Sequence, residues 1–250
     1  MNFIYSLQSE WLKTKRSAAS WLCLIGGFFV PLLHFIGFLK NHNSINDNVH
    51  SRIWENLLMS QWSNMAIFLL PMGVILASSL ITQMEYKNNT WKQLHTTPQS
   101  FTTIFLSKFS VIALMTLKFF IFFNIGVLIS GTLPCLMFNH QLPKEGIPLL
   151  FFIEKNAKFF LACLPITAIQ YLISLKFKNF LVAIGVGLLG LVGTLIGISW
   201  KYIFISPYCY SPLLVVPLET KFNIPMFAFF YFVIIMVVSY YLYLTKKEKG

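Results

Sequence analysis

The sequence predicts an all-α integral membrane protein, and three observations carry that prediction. Of 250 residues, 56% are hydrophobic and only 11% charged, against about 25% charged in soluble domains. The apolar residues fall into runs long enough to cross a bilayer, which takes about 20 helical residues. The basic residues cluster at the ends of those runs, where they orient a membrane protein. The runs are evenly spaced and no polar block between them is large enough to fold alone, so residues 1–250 read as a single membrane domain.

Six segments qualify as spans, at about residues 18–38, 62–82, 109–131, 157–175, 180–199 and 225–244. Lys176 and Lys178 separate the fourth from the fifth, because two lysines at mid-bilayer would each cost about 2.5–3.5 kcal/mol. Pro31, Pro71 and Pro165 are expected to kink their spans. The first span follows a polar start and has no A-x-A cleavage site, so it reads as retained rather than as a signal peptide. With a cytoplasmic N-terminus, the inner segments hold Lys13, Lys15, Arg16, Lys87, Lys92, Lys108, Lys176, Lys178, Lys246, Lys247 and Lys249. The outer segments hold Lys40, Arg52, Lys144, Lys155, Lys158, Lys201 and Lys221. Eleven against seven predicts both termini inside a cytoplasmic (inner) membrane.

The polar segments follow from this topology. In residues 2–16, Phe3, Ile4, Leu7 and Trp11 share one helical face with Glu10, Lys13 and Arg16 off it, which predicts an interfacial helix over 1–17. Residues 85–108 form a cytoplasmic segment. There Thr90-Trp91-Lys92-Gln93 is a capping box, Trp91 and Leu94 share a face, and Pro98 ends the short helix. Ser100 then caps a second helix, FTTIFLSKF, leading into the third span. Residues 200–224 carry Pro207, Pro212 and Pro217, which break any long helix. Trp200, Tyr202, Tyr208 and Tyr210 suit the headgroup layer, and the stretch reads as an outer re-entrant or interfacial segment. The first outer loop, KNHNSINDNVHSRIWENLLMSQ, reads as solvated, since His42, Asp47 and His50 match no strong metal spacing.

Several chemistries lose ground. The net charge of +11 sits beside spans, where it meets anionic lipid rather than nucleic acid. The formal G-x-G-x-x-G at 185–190 lies in an apolar helix, so Gly185, Gly187, Gly190, Gly193 and Gly197 read as helix packing. No phosphate-cradling G-x-x-x-x-G-K-[ST] occurs, so nucleotide energy must come from another chain. No carboxylate lies well inside a span, no paired-acid or H-E-x-x-H pattern occurs, and no catalytic residue or metal ligand is assigned. The polar candidates for a translocation path are His34, Lys118, Asn124 and Gln170. Lys118 either snorkels toward the cytoplasm or lines the path. The four cysteines read as small apolar packing residues, with a Cys135–Cys209 pair open on the outer side.

Three stretches resemble a known family, the type-2 ABC export permeases, and especially the branch serving lantibiotic and bacitracin-type peptide immunity. SEWLKTKRS (9–17) resembles its N-terminal helix. EYKNNTWKQLHTTPQSFTTIFLSK (85–108) resembles its acidic residue, Thr-Trp-Lys-Gln-Leu run, Pro-x-Ser and closing Lys. PYCYSP (207–212) resembles the Pro/aromatic segment before its last span. The resemblance implies a non-catalytic permease subunit that pairs with a second permease, identical or homologous, above two copies of an ABC ATPase that binds ATP and Mg. No cofactor is implied on this chain. Glu85, Thr90, Trp91, Lys92, Gln93 and Leu94 would form the coupling element, with Glu10, Lys13 and Lys15 near the same ATPase surface. The implied cargo is an antimicrobial peptide or another amphipathic, lipid-like molecule, exported in self-immunity or resistance. A membrane anchoring or assembly protein, or a membrane-embedded enzyme, is the alternative.

Overall fold

A computed structural model describes residues 3–40, 53–87, 100–137, 146–177, 179–216 and 223–247. The described elements are helices without a strand. They are α1 (Phe3–Thr14), α2 (Ala18–Lys40), α3 (Ile53–Asn64), α4 (Leu70–Lys87), α5 (Phe101–Met137), α6 (Leu149–Lys176), α7 (Phe180–Ile196), the short α8 (Tyr210–Leu213) and α9 (Ile224–Lys247). Five helical stretches are long and apolar enough to cross a membrane: α2, Trp54–Met84, α5, α6 and α9. The shorter apolar helix α7 joins them.

Several helices run past the lengths that hydropathy alone suggests. A 37-residue α5 rises about 55 Å at 1.5 Å per residue, well beyond the roughly 30 Å hydrocarbon layer. FTTIFLSKF is therefore its first two turns rather than a separate helix. The solvated-loop reading of WENLLMSQ also fails, because α3 begins at Ile53. Trp54, Leu58 and Trp62 recur every fourth residue, and all are buried. A π-helical turn at Met65–Leu69 carries α3 into α4 just before Pro71. Pro71 has no N–H to donate and its ring crowds the carbonyl four residues back, so a wider turn accommodates it.

Side-chain contacts define the two ends of the bundle. Ser6 meets Ser107, Tyr171 meets Phe105, and Thr102 meets Tyr240, which gathers α1, α5, α6 and α9 at one end. At the other end Gln61 donates to Ser130, and the Trp54 ring lies against Gly131. The core between them is aromatic. Trp62 stacks on Phe159 at 4.0 Å between ring centroids and tilts against Phe120 and Phe123. Much of the chain's phenylalanine is thus packing material, while Phe29, Phe227 and Phe230 remain on the outside.

α2 and α5 run parallel and touch at Gly27, where an added Cβ would lie 3.1 Å from the Phe119 carbonyl oxygen and 3.2 Å from the Phe123 amide nitrogen. Helices α6 and α7 are separate. The chain is extended at Phe177 and Asn179, and the Asn179 side chain caps α7 by accepting from the Leu181 amide at 2.9 Å.

Candidate functional site

The first site is a charged joint between α1 and the start of α5. The buried face of α1 consists of Ser6, Glu10 and Thr14, spaced four apart. This face is polar and holds Glu10, whereas the apolar Phe3 and Ile4 are exposed. Phe3, Ile4, Tyr5 and Leu12 are the helix's exposed apolar residues, and Leu7 and Trp11 are partly buried against the core. Glu10 turns inward because its partner is there. Lys108 donates from Nζ to Glu10 Oε2 at 2.9 Å, and Lys13 donates to Oε1. Glu10 and Lys108 are only 7% and 3% exposed. Burial pushes the Glu10 carboxyl up, but the charges of Lys108 and Lys13 and their hydrogen bonds outweigh it and hold it below the ordinary range. A hydrogen bond from Ser6 Oγ to Ser107 Oγ at 3.1 Å extends the joint by one turn.

The chain then turns sharply. Arg16 has φ of 60°, a left-handed conformation that costs a non-glycine residue about 1–2 kcal/mol. Ser17 follows, and its Oγ accepts from the Ser20 amide at 3.3 Å to cap α2. Lys15 is exposed on this corner.

The start of α5 holds more than α1. Ser100 Oγ accepts from the Thr103 amide at 3.2 Å, the cap its position predicts. Thr102 Oγ1 lies 2.6 Å from the Tyr240 hydroxyl of α9, and Tyr171 of α6 donates to the Phe105 carbonyl at 3.0 Å. Within nine residues of the segment joining α4 to α5, α5 is therefore bonded to α1, α6 and α9. Glu85 lies in the last turn of α4. Thr90, Trp91, Lys92, Gln93 and Leu94 lie outside the described residues, as do His42, Asp47, His50, Pro98, Lys178 and Pro217.

A second, neutral centre surrounds Gln170, which is fully buried. Its Nε2 donates to Ser79 Oγ at 3.1 Å and to the Ala183 carbonyl at 2.8 Å, tying α6 to α4 and α7. The Tyr208 hydroxyl approaches Gln170 Oε1 at 3.5 Å. Tyr208 and Tyr210 pack into the bundle instead of facing outward. They are 6% and 2% exposed, whereas Trp200 and Tyr202 are on the surface. The segment after α7 folds back on the bundle, with Ser206 against Thr194 and the Tyr231 hydroxyl donating to the Ile205 carbonyl at 2.6 Å.

Two glycines make room for this arrangement. A Cβ at Gly187 would lie 2.6 Å from Gln170 Oε1, and one at Gly190 would lie 2.6 Å from the Tyr208 ring. The five glycines read as helix packing do not all pack within the chain. Gly185 and Gly193 have nothing within 4 Å, so Gly187 and Gly190 are the pair that packs inside the chain.

The four polar path candidates occupy separate places. Gln170 is in the core. Asn124 and Asn156 exchange two amide hydrogen bonds, both 2.9 Å, and clamp α5 to α6. Lys118 donates to Ser20 Oγ near the start of α2. His34 Nε2 lies 3.1 Å from Asn64 Nδ2 toward the opposite end. His34 borders an open groove, about 610 Å³ in volume and lined by Val30, Leu33, Gly37, Phe38, Asn64 and Leu69 among the described residues. Cys135 and Cys209 are both free thiols. No group of three or more His, Cys, Asp or Glu able to hold a metal occurs among the described residues.

Five helical stretches long and apolar enough to cross a bilayer make this a multi-pass membrane protein. A family model described as ABC-2 family transporter protein matches residues 6–197. That range takes in α1 through α7, more than half of the chain, and the protein belongs to this ABC transporter permease family, which places it in the inner membrane. No curated protein and no solved structure matches the chain significantly.

Proposed function

We propose that the chain is the transmembrane subunit of an ATP-driven exporter whose motor is a separate ABC ATPase. The end of the bundle that holds α1 faces the cytoplasm. Two ATPase copies bind there, beneath this permease and a second one, identical or homologous, and hydrolyse Mg-bound ATP. Residues 85–100 meet the ATPase, with Trp91 and Leu94 as the apolar contact and Lys13 and Lys15 beside it.

The observation that carries this reading is the bonding at the start of α5. A load applied to the 88–99 segment passes directly into α5, and from there to α1 through Glu10–Lys108, to α6 through Tyr171 and to α9 through Tyr240. Glu10 thus acts as a positioning residue, joined to the motor's surface through α1 and α5. The cargo is an amphipathic molecule, with an antimicrobial peptide the class suggested by the 85–108 resemblance. The groove beside His34 offers it an opening toward the outer leaflet.

The test is a Trp91→Asp/Leu94→Asp variant, purified with its partner ATPase and reconstituted in vesicles. The expected outcome is normal insertion with loss of ATPase binding or of ATP-driven transport. Wild-type binding and wild-type transport in this variant would contradict the assignment.

A further inference from the structure

Lys118 carries a positive charge midway along α5 that no carboxylate among the described residues neutralises. Its Nζ donates to Ser20 Oγ and lies 5.7 Å from the centre of the Phe122 ring. Neither partner is an anion. The carboxylates with described side chains are Glu10, Glu55 and Glu154. Glu10 is taken by Lys108 and Lys13, Glu154 pairs with Lys158, and Glu55 lies in α3 near the opposite end. Other described lysines pair with a carboxylate or stand at helix ends and corners, apart from Lys155, which lies over the Phe151 ring in the second turn of α6; Lys118 lies midway along α5.

Its surroundings are those of a lipid headgroup. The side chain leans back along α5 toward the helix N-terminus, as helical side chains do, and reaches the level of Ser20, two residues into α2. Trp21, exposed on the same turn of α2, is the residue type that prefers the headgroup layer. Lys118 itself is only partly covered. Beyond it, away from α1, the outer faces of the two helices are apolar and exposed: Ile25 and Phe29 on α2, Ile121 and Ile125 on α5. The close approach at Gly27 seals the seam behind them.

We propose that Lys118, Ser20 and Trp21 form a binding site for an anionic phospholipid, with the phosphate on Lys118 Nζ and Ser20 Oγ and the acyl chains along the α2–α5 faces. A lysine ammonium has three N–H donors. One is used by Ser20, and a phosphate oxygen takes another. The lipid supplies the counter-charge that the described residues do not. Its leaflet is the cytoplasmic one, and that single point rests on the orientation proposed above. Binding itself does not depend on ATPase docking.

The experiment uses the purified full chain in neutral detergent with equal amounts of phosphatidylglycerol and phosphatidylcholine, matched in acyl chains. Bound lipid is counted by native mass spectrometry. Wild type is expected to favour phosphatidylglycerol by about fivefold, the worth of one basic contact at a charged surface. Lys118→Gln should bring the ratio close to one. Lys118→Arg should keep it, and so should Lys155→Gln, which removes a cation over Phe151 on α6. Three results would overturn the proposal: no preference in wild type, an unchanged preference in Lys118→Gln, or displacement by millimolar inorganic phosphate alone, which would mark a simple anion site. Because the wild-type ratio decides on its own, a variant that fails to fold does not rescue the idea. A failed ATPase assay leaves this readout untouched.

Discussion

The joint beneath the bundle and the centre around Gln170 solve the same problem with opposite chemistry. Both hold several helices together where the surroundings are poor in water. The joint uses full charges, Glu10 with Lys108 and Lys13. The centre uses an uncharged amide, two hydroxyl groups and two glycines. The difference tracks position along the chain's long axis. A buried carboxylate is tolerable where two lysines and the membrane edge are near. Deeper in the bundle an amide can satisfy Ser79 and a backbone carbonyl without bringing a charge into the hydrocarbon. Charge therefore marks the end where α1 joins the bundle, and neutral packing marks its middle.

The comparison breaks most severely at Lys108. Lys108→Ala strands a buried carboxylate, and loss of one partner of a buried pair costs about 3–5 kcal/mol. Lys13 remains on Glu10, so the expected loss lies at the low end. Replacing both partners, Glu10→Leu with Lys108→Leu, should restore most of it, because no charge is then left unpaired. Thermal midpoints in detergent, arranged as a double-mutant cycle, measure both effects.

A smaller effect is expected in the neutral centre. Gly187→Ala or Gly190→Ala forces a methyl group against Gln170 or Tyr208 and should cost about 1–3 kcal/mol. Gly185→Ala and Gly193→Ala enter open space and should cost nothing in the isolated chain. If Gly193→Ala instead weakens pairing with a second permease in cross-linking, that outer face of α7 is where the second permease packs.

The smallest effect is that of pH. Glu10 has a folded-state carboxyl held below its ordinary value of 4.5. It therefore contributes stability that is fully present above that ordinary value and is lost as pH falls through the depressed one. Melting between pH 7 and 5 should be insensitive to Glu10. Below pH 4.5 the wild type should lose stability more steeply than Glu10→Gln, as thermal midpoints across the acid range would show.

Five apolar spans were legible in the sequence because runs of about 20 apolar residues leave little ambiguity, while α7, at 17 residues, is shorter than the span expected over 180–199. Their ends were less legible, since α5 and α6 stay helical beyond the bilayer through ordinary polar sequence such as FTTIF and FFIEKN. Helix α3 was missed although Trp54, Leu58 and Trp62 recur at helical spacing, because asparagine and serine upstream masked the pattern. The joint was half visible. Glu10 and Lys108 both stood out, but their pairing bridges 98 positions, which no local pattern reports. Asn156, the partner of Asn124, gave no signal beyond being an amide in a long apolar helix. Tyr208 misled because aromatic residues beside prolines suit a headgroup layer as well as a core, and only the empty side of Gly190 distinguishes the two.

The central claim is that the α1 end of the bundle faces the cytoplasm, where a motor can reach residues 85–100. Membrane-impermeant maleimide labelling of intact cells tests it directly, using Lys92→Cys and Trp200→Cys in a chain whose four native cysteines are replaced by alanine. The account predicts that position 200 labels from outside and that position 92 labels only after the membrane is opened. Labelling of position 92 from outside would place the joint on the wrong side and contradict the account.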